Sequence, residues 1–187
     1  VVCTIQYKNG NIPATLLDTC KHHIILLEQK RLHETYKKHN QPLITQKIKN
    51  TFNIDCYIPE GYTIAVEKPN FLWLRQETEL TSQNIVFATA PIQTYANTTI
   101  KTYRDSLAQL YILGVLPNSY MITDTLQPIY HITTSNLYTV TGRWKMHNDF
   151  MGGSFITQIK HNNIKNNPIF IDCFVYAPSR KNITLLF

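Results

Sequence analysis

The stretch Leu137-Tyr138-Thr139-Val140-Thr141-Gly142-Arg143-Trp144-Lys145-Met146 decides the fold class. Tyr138, Val140, Trp144 and Met146 fall on one side of its two-residue period, and Thr139, Thr141, Arg143 and Lys145 on the other. Strand side chains point alternately to opposite faces, so this pattern predicts an antiparallel strand with one buried and one wet face. Ile169 to Tyr176 reads differently. Ile169, Ile171, Cys173 and Val175 oppose Phe170, Phe174 and Tyr176, so both faces are apolar and a central, doubly covered strand is expected. Pro128 to Thr133 and Ser154 to His161 complete a group of four strands at the end of the chain.

Working outward, an earlier group of strands starts near Ile54. Cys56-Tyr57-Ile58 reads as a strand, Pro59-Glu60-Gly61 as a turn, and Tyr62, Ile64 and Val66 alternate. Phe71 to Leu74 and Asn84 to Ala90 follow. Asn97 is expected to cap a helix whose stripe is Ile100, Tyr103, Leu107, Leu110 and Tyr111, with Gly114 as its stop. Val1 to Tyr7 reads as a strand. Leu16, Cys20, Ile24 and Leu27 mark a helix from Pro13 to Lys38, which Asn40-Gln41-Pro42 breaks. Leu43, Ile44, Ile48 and Phe52 form a second, short helix, and Ser179 caps a last one carrying Ile183, Leu186 and Phe187. Strands joined mainly by turns, with helices between the groups, imply an α+β fold: an antiparallel sheet with helices packed on it. One domain over residues 1–187 is expected, with a helical section 1–53 and a sheet-rich section 54–187.

Composition fits a folded chain. Of 187 residues, 43% are hydrophobic and 16% charged, and Asn, Thr, Gln and Tyr supply much of the polarity. A chain of this length buries roughly 70% of its unfolded surface, so it needs no metal or disulfide to hold a core. The four cysteines, Cys3, Cys20, Cys56 and Cys173, have no CxxC spacing and are expected to be free, mostly buried thiols. No apolar run reaches the ~18 residues of a membrane span. The chain opens on Val1 rather than Met, as expected of a processed product or an excised piece. The net charge of +6 is densest over Lys30, Arg31, Lys37, Lys38, Lys47 and Lys49. Those positions fall on polar helices, so a solvated face is expected and no nucleic-acid partner. Binding of anionic lipid or nucleic acid through that face is the weaker alternative.

No catalytic motif stands out. His33-Glu34-Thr35-Tyr36-Lys37 nearly spells HExxH, but Lys37 stands where the second zinc ligand belongs, and an ammonium cannot coordinate a metal. Cys20 and His23 lie one turn apart, and a surface His beside a buried Cys is the plainer reading. Gly152-Gly153-Ser154 lacks the GxSxG order of a nucleophile elbow, and six glycines leave no phosphate loop. Asp105, Asp149 and Asp172 are scattered. No catalytic residue, metal ligand or cofactor is therefore assigned, and a non-enzymatic protein is expected.

The segment after Trp144 is unusual. Asp149-Phe150-Met151-Gly152-Gly153 joins two strands where polar turn residues would suffice. On the structural reading, Phe150 and Met151 tuck over the core and the glycines supply positive φ. On the functional reading, the segment is a recognition loop beside Arg143 and Trp144, residue types that anchor binding surfaces. The candidate binding residues are thus Arg143, Trp144, Asp149, Phe150, Met151, Gly152 and Gly153. Arg143 is expected to meet Asp149 or Asp172 in an ion pair that braces the loop.

Five segments together resemble a known family: Phe71-Leu72-Trp73-Leu74-Arg75, Tyr103-Arg104-Asp105-Ser106-Leu107, Gly142-Arg143-Trp144, Asn148-Asp149-Phe150-Met151-Gly152-Gly153 and Phe174-Val175-Tyr176-Ala177-Pro178. Their order and spacing are similar to those of the Bacteroidetes lipoprotein family known only as domain of unknown function 4837. Ser154 departs from the Pro found there. The resemblance implies an exported lipoprotein longer than this chain, facing the periplasm and reaching the membrane only through an N-terminal lipid anchor outside this sequence. It implies no activity. The strand–helix–strand order after Ile54 is also similar to a PsbP-like α/β/α sandwich, which licenses no function. The expected role is a cell-envelope binding or assembly module for an envelope protein or ligand. The alternative is an enzyme acting on an envelope glycan, peptide or lipid.

Overall fold

The computed structural model describes residues 13–90, 97–127, 129–133, 137–160 and 168–178. The expected strand at Val1 to Tyr7 and the expected helix after Ser179 lie outside them. Three helices and eight strands are described. Helix α1 spans Ala14–Lys38 and α2 Pro42–Phe52. Strands β1 (Thr63–Lys68), β2 (Phe71–Glu77) and β3 (Ser82–Thr89) precede helix α3 (Asn97–Tyr111). Strands β4 (Tyr120–Thr123), β5 (Tyr130–Thr133), β6 (Leu137–His147), β7 (Gly152–Lys160) and β8 (Ile169–Tyr176) follow.

All eight strands form one sheet in the order β1-β2-β3-β8-β7-β6-β4, with β5 also paired to β6, and every pairing is antiparallel. The expected α+β class is what the structure shows. Strand β8 takes the middle, as its two apolar faces require. Its Ile169 packs with the α2 side of the sheet and its Phe170 and Phe174 with the α3 side. On one face, Ile44, Ile48 and Phe52 of α2 bury against Leu72, Leu74 and Phe87. Each such side chain, once fully buried, stabilises by about 1.5–3 kcal/mol over its exposed state. On the other, Ile100 and Ala108 of α3 bury against Phe71, Val86, Phe155 and Phe170. Pro42 sits in the first turn of α2, where its missing N–H costs nothing, and Asn53 ends that helix in the left-handed region at φ 57°.

Two expectations need correction, and one strand was not expected. Cys56-Tyr57-Ile58 is not a strand; it belongs to the connection that leads from α2 to β1, with Ile58 buried under the sheet. Tyr120–Thr123, which the sequence reading assigned to no element, pairs with β6, with Met121 and Thr123 buried and Tyr120 and Ile122 half-buried. In α3, Leu110 is exposed, while Arg104 and Ala108 lie on the buried face. The Asn97 side chain lies outside what is described, and α1 buries none of its residues.

Candidate functional site

The buried charge of α3 comes first, because it fixes the helix on the sheet. Arg104 is 2% exposed, and its Nε donates to both oxygens of Asp172 on β8 at 3.1 Å. Thr157 Oγ1 on β7 donates to the same carboxylate at 2.5 Å. Arg104 also reaches Thr123 Oγ1 at 3.2 Å and lies 4.0 Å above the centre of the Phe155 ring. Asp105 accepts from the backbone N–H and hydroxyl of Thr123, each at 2.7 Å, and from Lys101 at 2.8 Å. A buried ion pair holds only when its remaining hydrogen bonds are met, and here they are.

This arrangement removes the expected brace on the loop. Asp172 faces α3 and belongs to Arg104. Arg143 is exposed on the opposite face of β6, and its guanidinium has no partner among the described residues. Asp149 instead accepts the backbone N–H of Phe150 at 2.7 Å.

The loop itself holds both expected behaviours in neighbouring residues. Met151 is half-buried against the core, but Phe150 is 92% exposed. The positive φ belongs to Asn148, at 57°, and not to the glycines. Gly153 is needed for close approach. A Cβ there would lie 1.9 Å from the Val175 carbonyl oxygen and 2.9 Å from the Trp144 indole nitrogen. With no Cβ there, Trp144 Nε1 reaches past Gly153 and donates to Val175 O at 3.2 Å.

Where α3 stops at Tyr111, the strands beneath run on. The gap between the end of the helix and the sheet is a groove of about 300 Å³. Both tryptophans of the chain, Trp73 and Trp144, and all three methionines, Met121, Met146 and Met151, line it. Phe174 and Tyr176 of β8 add aromatic wall, and Leu113 and Val115 form the rim, Val115 being 98% exposed. Trp73 Nε1 donates to Asn84 Oδ1 at 2.9 Å, so both indole N–H groups are satisfied and the ring faces remain for contact. The polar end consists of Arg75, Glu77, Ser82 and Asn84, with Arg75 donating to Glu77. Thioethers and aromatic rings make an adaptable apolar surface suited to another apolar group.

Of the expected binding residues, the structure brings Trp144 and Met151 into the groove and sets Phe150 on the hairpin tip beyond β6. Arg143 lies on the other face. Sequence reading did not name Trp73, Met121 or Tyr176 as binding residues, because they come from strands far apart in the chain. A signal was nevertheless present: four of the five segments behind the family resemblance contribute groove residues, and the fifth contains Arg104 and Asp105.

Elsewhere the chemistry is sparse. Cys20, Cys56 and Cys173 are half-buried, Cys56 and Cys173 as free thiols, and Cys3 lies outside the described residues. Burial, and then the neighbouring Asp172 charge, pushes the Cys173 thiol up to about 12; burial and Asp55 push Cys56 up to about 11. Lys47 pairs with Glu67 and Lys49 with Asp55, each at 2.6 Å, while Lys30, Lys37 and Lys38 stand exposed on α1. His33 meets Tyr57 edge-on at 5.3 Å. Among the described residues, no three His, Cys, Asp or Glu gather as a metal site, and no helix is long and apolar enough to cross a membrane.

No curated protein and no solved structure matches the chain. Residues 41–187, which take in α2, α3 and the whole sheet but not α1, match the family model described as domain of unknown function (DUF4837), and the chain belongs to that family.

Proposed function

We propose that the protein is a non-enzymatic binding module of the cell envelope, periplasm-facing and lipid-anchored in its full form, which takes an apolar segment of an envelope protein or ligand into the groove beyond α3. The groove carries this reading: it gathers both tryptophans and all three methionines beside the exposed Val115, and the residue before Met151, Phe150, is exposed on the hairpin tip. Exposed apolar surface of this kind marks a contact site. The envelope setting is the family resemblance extended to this chain. A PsbP-like kinship fits the three layers and brings no activity with it.

An enzyme acting on an envelope glycan, peptide or lipid would call for a carboxylate pair or a nucleophile beside a base. Among the groove residues Glu77 is the one carboxylate, and it already accepts from Arg75. The binding reading is therefore preferred. It is tested with a photo-reactive side chain placed in turn at Val115, Phe150 and Lys68 of the tethered protein in its own envelope. Val115 and Phe150 should each give the same discrete adduct, and exposed Lys68, at the other end of the sheet, none. Adducts alike at all three positions, or at none, would overturn it.

A further inference from the structure

We infer that the ligand of the groove is a single unbranched acyl chain with a neutral carbonyl head, an ester or an amide, whose carbonyl sits at Ser82; this rests on the groove being the binding site. A directed relay of hydrogen bonds marks the head end. An indole N–H can only donate, so the bond from Trp73 Nε1 to Asn84 Oδ1 at 2.9 Å fixes the amide of Asn84, which is itself 4% exposed. Asn84 Nδ2 then donates to Ser82 Oγ at 3.1 Å. Ser82 lines the groove, and its O–H meets no acceptor among the described residues, so the relay ends in a donor left for a ligand. Beside it Arg75 and Glu77 pair and cancel one another's charge, which favours a neutral acceptor over a carboxylate.

The body of the groove fits such a chain better than a peptide. Its lining crosses the sheet from β3 through β8, β7 and β6 to β4, which is four strand spacings or roughly 19 Å. A volume of about 300 Å³ drawn out over that length has room for one narrow chain and none for a two-chain lipid. Phe174, Trp144, Met146 and Met151 lie along the way, and the Trp144 N–H is already spent on Val175 O. A peptide backbone laid among them would hold its N–H and C=O groups away from water and without these side chains as partners, which is costly. An acyl chain carries no such groups. Its methylenes meet ring faces and thioethers, and its carbonyl oxygen meets the donor at the end of the relay.

The two tryptophans report directly on the groove. The full chain is titrated with N-methyl decanamide below its solubility limit, and with decyltrimethylammonium, which has the same chain and no acceptor. The amide should bind with a change in tryptophan emission. Ser82→Ala should weaken it about three- to tenfold, the worth of one hydrogen bond, and Ser82→Thr, which keeps the hydroxyl, should restore it. Binding of the ammonium should be the same in all three chains. No binding of the amide, no loss on Ser82→Ala, or an equal loss for both compounds would overturn the inference. Should Ser82→Ala fail to melt cooperatively, the unaltered chain decides: tighter binding of the amide than of the ammonium supports the inference, and equal or weaker binding sinks it. Decanoate binding more tightly than the amide would overturn it in favour of a free fatty acid, and an end-capped leucine tetrapeptide doing so would overturn it in favour of a peptide. Envelope adducts at Val115 and Phe150 without amide binding would leave the groove reading standing and remove only the acyl chain. Amide binding that depends on Ser82, without any envelope adduct, would do the reverse.

Discussion

The sheet face under α3 and the same face beyond Tyr111 are built from the same strands, yet they handle their polar and apolar groups in opposite ways. Under the helix, charged groups are buried and each finds its partner: Arg104 with Asp172, Asp172 with Thr157, Asp105 with Thr123. Beyond it, the polar atoms of the two tryptophans are bonded away, and what remains is ring face, thioether and exposed rim. The first region is complete in itself, so its residues hold the fold. The second is bounded but uncovered, so its residues are the ones free to meet something else.

The largest effect expected from this contrast is at Arg104. Arg104→Ala leaves the Asp172 carboxylate buried without its cation and should cost about 3–5 kcal/mol in a denaturant melt. The double change Arg104→Met with Asp172→Leu removes both charges and should recover most of that loss. A loss below about 1 kcal/mol for Arg104→Ala would show that water reaches the pair, and the two regions would then differ less than the geometry indicates.

Next is Gly153→Ala, which forces a methyl group against the Val175 carbonyl and the Trp144 indole. It should cost about 1–3 kcal/mol through displacement of β7 or the indole. It should also shift tryptophan emission, because Trp144 would lose its bond to Val175. A stable variant with unchanged emission would mean that the indole does not rest on this glycine.

How much of this was legible in the sequence depended on the range of the contacts. Periodicity located α1, α2, α3 and the long strands β6 and β8, because each displays its own pattern over many residues. It assigned no place to Arg104, since the burial of a charged residue beside an apolar stripe depends on its partner 68 residues away. The same limit hid the groove, which Trp73, Met121, Trp144 and Tyr176 form only after β8 has entered between β3 and β7. The composition of the Asp149 to Gly153 segment did mark something real. The reason differed from the expected one: Gly153 makes room for an indole, and Asn148 makes the turn.

A smaller effect belongs to the other side of β8. The Cys173 thiol stays protonated in the fold up to about pH 12, against an ordinary value of 9.0. Its folded pKa is raised, so its contribution is intact below pH 9, where both states are protonated, and is lost as pH rises, because the unfolded chain gives up the proton first. Between pH 8 and pH 10 the loss should be about 1 kcal/mol, and Cys173→Ala should flatten that part of the stability profile. An unchanged profile would indicate that the thiol ionises freely in the folded protein and that this face is wetter than its packing implies.

The smallest effect on stability is expected at Phe150, and it separates the two regions most cleanly. A phenylalanine tucked over the core would cost about 3 kcal/mol or more on truncation to Ala. At 92% exposure there is almost nothing to lose, and Phe150→Ala should change stability by no more than about 0.5 kcal/mol. The same substitution should weaken or abolish the envelope adduct formed at Val115, because an exposed aromatic on a hairpin tip gains its contacts only from a partner. Arg143→Ala, on the opposite face of β6, should leave both the melt and the adduct unchanged. If Phe150→Ala instead lowers stability by several kcal/mol, the loop is part of the covered region and the groove loses its outermost contact. If it lowers neither stability nor the adduct, the hairpin only closes two strands, and binding must rest on the tryptophans and methionines alone.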